Sequence, residues 1–429
     1  MEIEKLDYDI QTFYDYLKIN GLDNFEKIKD YLENDKFKLK IKQDDDFPDL
    51  INIINTNESN VNIALVRFCN GIIMDKNTLK IKSFTFPKCF EEDSIINNNF
   101  LENDIYIEPC YEGTLIKVFS HNNSWIVSTK KMIDSRKSKW ISSKNFCELF
   151  NETLGGFNLY EKLNPDYCYS FLLCNNENNI VLKYDRNFII HLNTVDLINN
   201  KEIEVIIDEN NESILKNHRQ ILKIDEEKRQ KSILEFIQNI KNQQNTLLDY
   251  EGFMMINKNY TRQKFRKDNF VKMRSLWGNT NNRFFRYVQL RKNVNDLNLY
   301  LKYFPSDKIL FQNYENEILD LTTCILNIYR NKFILKEKVS TPFYFKKIIY
   351  NLHGDYLKDK VKIKFNDIMV KLLELDDKNL CFIMNKFKKD KNNVVVDSTV
   401  ANIDNELSVT ENITQEQNDS VIDDMEMGT

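Results

Sequence analysis

Glycine is scarce in this chain: nine occur in 429 residues, where average usage would supply about 30. A sequence so poor in the one residue that freely adopts positive φ keeps each glycine for a backbone need. Three of the nine, Gly71, Gly113 and Gly252, lie in the motifs treated below. Proline is also rare, at six residues. No apolar run approaches the roughly 20 residues that span a bilayer. The opening Met1-Glu-Ile-Glu-Lys5 lacks the basic-then-apolar pattern of a secretory leader. These absences predict an intracellular, cytoplasmic protein with no membrane partner. The eight cysteines, among them Cys69, Cys89, Cys147 and Cys381, form no CxxC pair, so their spacing signals neither a zinc site nor a disulfide framework, and they read as buried thiols. The four histidines, His121, His191, His218 and His353, are scattered without metal-ligand spacing.

What is present describes a globular protein: 42% hydrophobic and 29% charged residues, in a length that more naturally makes two or three domains than one. A net charge of −5 excludes coating nucleic acid by bulk electrostatics but permits a local basic surface.

Along the chain, residues 1–60 carry helical spacing at Phe13, Tyr16 and Leu17 and predict a mostly helical lead-in. From Val61 the pattern changes to short β-rich runs at Val61–Val66, Gly71–Met74, Leu79–Phe86, Thr114–Phe119 and Trp125–Thr129. His121-Asn-Asn-Ser124 joins the last two as a hairpin. Further strands are expected at Tyr167–Cys174, Ile180–Tyr184 and Phe188–Leu192, then an amphipathic helix over Glu212–Gln244 and a strand at Gly252–Ile256. After Asn295 a stripe from Leu310 through Ile318, Leu321 and Ile325 to Phe333 predicts helices. From Lys388 aromatics vanish and acids dominate, which predicts disorder. The expected division is 1–60, 61–294, 295–388 and an acidic tail at 389–429.

Tyr111-Glu-Gly-Thr114 and Tyr250-Glu-Gly-Phe253 are each compatible with ordinary turns. Their order and surroundings carry more. Upstream stand Arg67-Phe-Cys-Asn-Gly-Ile-Ile-Met-Asp75 and Ser83-Phe-Thr-Phe-Pro-Lys-Cys-Phe90; Ser128-Thr-Lys-Lys131, Tyr167–Leu173 with Asn179-Ile-Val181, and Lys264-Phe-Arg266 complete the series. Over residues 61 to 290 this succession resembles the RNA-ligase branch of the covalent nucleotidyltransferases, in which Lys-x-Asp/Glu-Gly, a strand aromatic, Glu-Gly and a final cationic pair follow in that order. Asn70 stands where that family often has arginine, and Cys110 where it has its lysine. The resemblance implies an α+β fold: a nucleotidyltransferase (ATP-grasp-like/ligase) β-sheet core with helices, followed by an α-helical C-terminal domain. The surplus of Asn, Lys and Ile fits an AT-rich genome such as that of a large DNA virus.

The family's chemistry explains its residue types. A lysine amine attacks the α-phosphate of a nucleotide, while a metal and cations neutralise the triphosphate as pyrophosphate leaves. Carried over, this implies ATP and Mg2+ as cofactors, Cys110, Glu112 and Glu251 at the catalytic positions, and Glu251 on the metal. Gly113, Phe171, Lys264 and Arg266 would hold the nucleotide. Without the resemblance, Phe171 on a β-rich run reads as core. A thiolate would have to form a phosphorothiolate, so Cys110 implies that covalent transfer is lost. A displaced lysine, Lys117, Lys130 or Lys131, is the alternative that keeps an active ligase. A structural or interaction protein retaining only the scaffold is the third reading.

Between Lys258 and Lys292 eleven cations face a single acid, Asp268, and interleave with Tyr260, Phe265, Trp277 and Phe284. Such a mixture binds phosphates and stacks unpaired bases, and it marks Arg274, Arg283 and Arg286 as RNA-binding candidates. The competing view is a helix and loop with aromatics inward and cations solvated.

Overall fold

The computed structural model describes residues 8–90, 100, 104–207, 214–216, 219–223, 228–241 and 249–400, with backbone alone at 215–216 and 392–400. The chain divides into two compact units, one ending at Arg274 and the other beginning at Ser275. The fold is α+β with a helical C-terminal region. No helix among the described residues is long and apolar enough to cross a membrane.

The first unit opens with two helices, α1 (Ile10–Ile19) and α2 (Phe25–Leu32), each started by an amide-capping side chain: Asp9 accepts from Thr12 N and Asn24 from Lys27 N. Two strands follow, β1 (Lys40–Asp44) and β2 (Phe47–Ile54), so the lead-in is less helical than its spacing predicts. After the short α3 (Ala64–Phe68), β3 (Ile72–Asp75) and β4 (Ile81–Ser83) complete an antiparallel sheet in the order β1-β2-β3-β4. Phe13, Leu17, Ile28 and Leu32 pack on one face of it, against Ile51, Ile53, Ile72 and Met74. The run Val61–Val66 thus ends in a helix rather than a strand. Leu65, Val66 and Phe68 are buried in that core, and tertiary packing overrides β propensity.

Two further sheets build the cleft. One has the order β10-β9-β8-β6-β7, with β11 parallel to β9. Its strands are β6 (Thr114–His121), β7 (Ser124–Thr129), β8 (Tyr167–Cys174), β9 (Phe188–Asp196), β10 (Lys201–Ile203) and β11 (Ile214–Lys216). The β6–β7 hairpin turns at Asn122 and Asn123, with φ of 50° and 59°, the double left-handed turn that Asn tolerates. The other sheet has the order β12-β5-β13-β14, formed by β5 (Ile105–Cys110), β12 (Gln220–Ile221), β13 (Gly252–Asn257) and β14 (Arg262–Arg266). Helix α4 (Phe146–Leu154) covers Phe171 of β8. Helix α5 (Arg229–Lys241) sets Ile233 and Ile237 against Ile105, Met255 and Phe265 of the last sheet.

The amphipathic helix predicted over Glu212–Gln244 is therefore shorter. Ile214 and Ile221 belong to strands, and residues 212–213, 217–218, 224–227 and 242–244 lie outside the described residues. No strand forms at Ile180–Tyr184, because the Val181 and Leu182 N–H groups bond to the Glu112 carboxylate instead of a neighbouring strand.

The chain leaves the first unit within α6 (Asp268–Trp277). The second unit holds α7 (Arg283–Leu290), α8 (Val294–Tyr303), α9 (Lys308–Tyr329), α10 (Phe343–Asp359), α11 (Phe365–Glu374) and α12 (Asp377–Val400). Phe311, Ile318, Leu321 and Ile325 of α9 are buried at helical spacing. Helix α12 runs on past Lys388 to Val400, beyond the point where the loss of aromatics predicts disorder; residues 401–429 lie outside the described residues.

Candidate functional site

Strand alternation decides which side chains of the last sheet face the cleft. On β5, Ile105 points to α5, so Glu108 and Cys110 point away from it; on β14, Phe265 points to α5, which turns Arg262, Lys264 and Arg266 the other way. Register aligns these residues in rows. Cys110 pairs with Gly252 and Gly252 with Arg266; Glu108 pairs with Met254 and Met254 with Lys264. Cys110, Glu108, Glu251, Met254, Arg262 and Lys264 form one wall of a cavity. Leu115, Leu172, Ile190 and Leu192 of the neighbouring sheet form the other. The cavity is small, about 60 Å³.

Gly252 is required by this geometry. A Cβ there would sit 1.9 Å from the Phe265 carbonyl oxygen, closer than any real contact. Gly113 is similarly confined, with the Leu173 carbonyl oxygen 2.7 Å from a Cβ.

Glu251, buried, is ion-paired with Lys264 and has the Arg266 Nε 3.6 Å from its other oxygen. Its N–H donates to the Cys110 carbonyl at 2.8 Å. Burial pushes the Cys110 thiol well above its usual value, against the pull of the Lys264 ammonium. One Glu112 carboxylate oxygen accepts from Val181 N at 2.8 Å and Leu182 N at 2.7 Å, while the other is buried with no hydrogen-bond partner among the described residues. The Glu112 backbone N–H donates to the Tyr184 hydroxyl, which donates back to the Glu112 carbonyl. Burial raises the Glu112 carboxyl, and those two N–H groups offset part of the rise. Arg274 is held low by burial while the charges of Glu112 and Glu251 raise it, which associates it with these carboxylates.

Of the motif residues, Cys110, Glu251 and Lys264 line the cleft; Glu112 and Gly113 follow Cys110 in sequence and Arg266 lies beside Glu251, but none of these three lines it. Phe171 does not line it either. It lies on the opposite face of β8, fully buried, with Phe150 of α4 at 5.7 Å and His191 at 5.4 Å between ring centroids. Leu172 lines the cleft in its place. Arg283 and Arg286 also depart from expectation. Arg283 lies 3.7 Å over the Trp277 ring and is ion-paired with Asp307. Arg286 donates to the carbonyls of Ser275 and Leu276. Both are engaged in packing the second unit rather than presented to solvent as a phosphate-binding face. Among the candidate displaced lysines, Lys117 is buried and donates to the Gly71 carbonyl. Neither it, Lys130 nor Lys131 lines the cleft.

Glu108 and Arg262 are cleft residues that the motifs do not name. Parity along the strands would have found them, since Glu108 is two residues from Cys110 and Arg262 two from Lys264. Glu108 is ion-paired with Arg219 at 2.7 Å, and Arg262 with Glu202 at 2.5 Å. No group of three or more His, Cys, Asp or Glu gathers as a metal site among the described residues. An Mg2+ ion arriving on nucleotide phosphates would need only one or two protein carboxylates; the cleft carboxylate Glu251 has Lys264 and Arg266 beside its two oxygens.

No family model matches the chain. A protein named "Putative RNA-ligase" in African swine fever virus is 28% identical over 128 residues, which cover 25% of this chain and only 29% of that protein. The immediate-early protein ICP-46 homologue of invertebrate iridescent virus 6 is 26% identical over 334 residues, 70% of each chain. Among solved structures, an archaeal ATP-dependent RNA ligase has 10% identity and a TM-score of 0.39, over 68% of this chain and 70% of that one. By sequence the chain is thus similar to proteins of large DNA viruses, one of them named "Putative RNA-ligase".

Proposed function

We propose that the chain binds nucleotide and RNA ends without covalent self-nucleotidylation. One observation carries this reading: the residue at the end of β5, opposite Gly252 and beside Glu251, is a buried cysteine. Cys110 offers no amine for a phosphoramidate, and its burial opposes the thiolate that would have to act instead. The nearby amine of Lys264 is already ion-paired with Glu251.

The cations that would meet phosphate are retained. Lys264 lines the cleft, Arg266 lies beside Glu251 on the same strand, Arg274 is associated electrostatically with Glu112 and Glu251, and arginine supplies the planar fork suited to phosphate oxygens. Mg2+ delivered with a triphosphate would add a further positive charge near Glu251. Binding is tested by equilibrium titration of the full chain with ATP and with single-stranded RNA, alongside a search for covalent label. Saturable, non-covalent binding is expected. A protein that binds neither ligand would instead be a scaffold that keeps only the fold.

A further inference from the structure

The second unit carries a basic segment that the ordered motifs do not touch. Between Arg330 and Lys364 ten cations stand against three acids, Glu337, Asp355 and Asp359. Asp355 is taken up by Lys371 at 3.3 Å. Among the described residues none of the ten cations has an ion-pair partner. The contrast is with Arg283 and Arg286, whose guanidiniums are used in packing.

Helix α10 crosses the middle of this segment and buries Tyr344, Phe345, Ile348, Ile349 and Leu352. On its opposite face Phe343, Tyr350 and Leu357 follow at seven-residue intervals, 63%, 52% and 52% exposed. Lys346, Lys347 and Lys358 stand exposed beside them. No acid of α10 shares that stripe: with 3.6 residues per turn, Asp355 and Asp359 leave the helix about 140° and 180° around from Tyr350. A Cβ at Gly354 would meet nothing within 4 Å, so the face is open there. The Tyr350 ring is held in place by Lys332, which lies 4.7 Å from its centroid and donates to its hydroxyl at 3.1 Å.

A merely solvated face would carry the lysines without the large apolar side chains. A face built for another protein or a bilayer would keep its apolar residues contiguous, and here Lys346 and Lys347 come between Phe343 and Tyr350. The two rings are about 10 Å apart along the axis at 1.5 Å per residue, with both ammoniums in the interval. Rings alternating with cations match an unpaired strand, in which bases alternate with phosphates.

We infer that the exposed face of α10 is the surface on which the chain binds unpaired RNA: Phe343 and Tyr350 stack bases, and Lys346, Lys347 and Lys358 take phosphates. The inference rests on the RNA-binding half of the proposed function and gives it a surface within the second unit. The nucleotide stays in the cleft of the first.

The test is fluorescence-anisotropy titration of the full chain with a labelled single-stranded RNA dodecamer at several salt concentrations, with ATP titrated in parallel. Lys346→Glu, Lys347→Glu and Lys358→Glu together should weaken RNA binding by about tenfold or more. They should also flatten the slope of log affinity against log salt by about 2, since each phosphate contact on a single strand contributes about 0.7. ATP affinity and melting temperature should stay as in the parent, because the three lysines are exposed and have no ion-pair partner among the described residues. As a second measurement, Phe343→Ala keeps every charge and should weaken RNA binding about fivefold or more, the loss of one stacked base, with the salt slope unchanged. RNA affinity within twofold of the parent in either variant would overturn the inference and leave the proposed function standing. Vesicles of phosphatidylserine and phosphatidylcholine that bind the parent and not the lysine variant, while RNA binds both equally, would overturn it in favour of a membrane surface. A parent chain that binds ATP but no RNA would sink the RNA-binding half of the proposed function and this inference with it.

Discussion

The Cys110 carbonyl accepts the backbone N–H of Glu251 at 2.8 Å, so the residue in the nucleophile position and the buried carboxylate beside it are fixed to each other by adjoining strands. Under the proposed function, the buried thiol of Cys110 and the paired carboxylate of Glu251 hold a cleft that binds without forming a covalent adduct.

Gly252 lets β14 approach β13, because its missing side chain is replaced by the Phe265 carbonyl. Gly252→Ala should destabilise the first unit by about 3 kcal/mol, the upper end of overpacking costs. Urea denaturation measures the change. A loss below 1 kcal/mol would mean that the two strands can separate without penalty.

Phe171 contributes to the core and not to the cleft. Phe171→Ala should therefore cost about 3–5 kcal/mol of stability, and the milder Phe171→Leu should leave nucleotide affinity unchanged in a titration. A Leu variant that folds normally but loses nucleotide binding would restore the base-stacking role that the resemblance implies.

Arg283→Ala should act on stability and not on RNA. Removing it leaves Asp307 without its ion-pair partner and Trp277 without the stacked guanidinium, a loss of about 3 kcal/mol. The salt dependence of RNA binding should stay as it was, because a side chain that contacts no phosphate releases no counterion. A flatter salt slope with unchanged melting would return Arg283 to the RNA surface.

Lys117 is buried on β6, and burial lowers its ammonium to about 7. The unfolded chain titrates this lysine near 10.4. Between about pH 7 and 10 the unfolded state then binds more protons than the folded one, so stability rises with pH across that window and is flat with respect to this group below it. Lys117→Met should remove that rise in denaturation curves at pH 6.5, 8 and 9.5. An identical rise in the variant would assign it to other groups.

The order of the motifs is legible in the sequence; the row that joins Cys110, Gly252 and Arg266 is set by strand register, which motif spacing does not specify. Phe171 meets the core instead of the cleft for a reason rooted in strand parity. Adjacent residues of a strand face opposite sides, and a register shift in the β8–β9 ladder falls between Ser170 and Phe171, so motif position alone could not say which of Phe171 and Leu172 meets the cleft. The basic segment misled differently. Its cations follow each other in sequence, but β14, α6 and α7 send them to a buried strand face, a carboxylate pair and a helix-packing contact. Charge density along a chain carries no information about that division. The strands β1 and β2 were hidden because the helical spacing before them dominates the window in which they lie.

Under the proposed function, Cys110 forms no covalent adduct with a nucleotide. This is tested most directly by incubating the full chain with α-labelled ATP or GTP and Mg2+ or Mn2+, then denaturing it and looking for protein-bound label. The account predicts none. An acid-labile, alkali-stable label that maps to a lysine would contradict it and show that the amine has moved rather than disappeared.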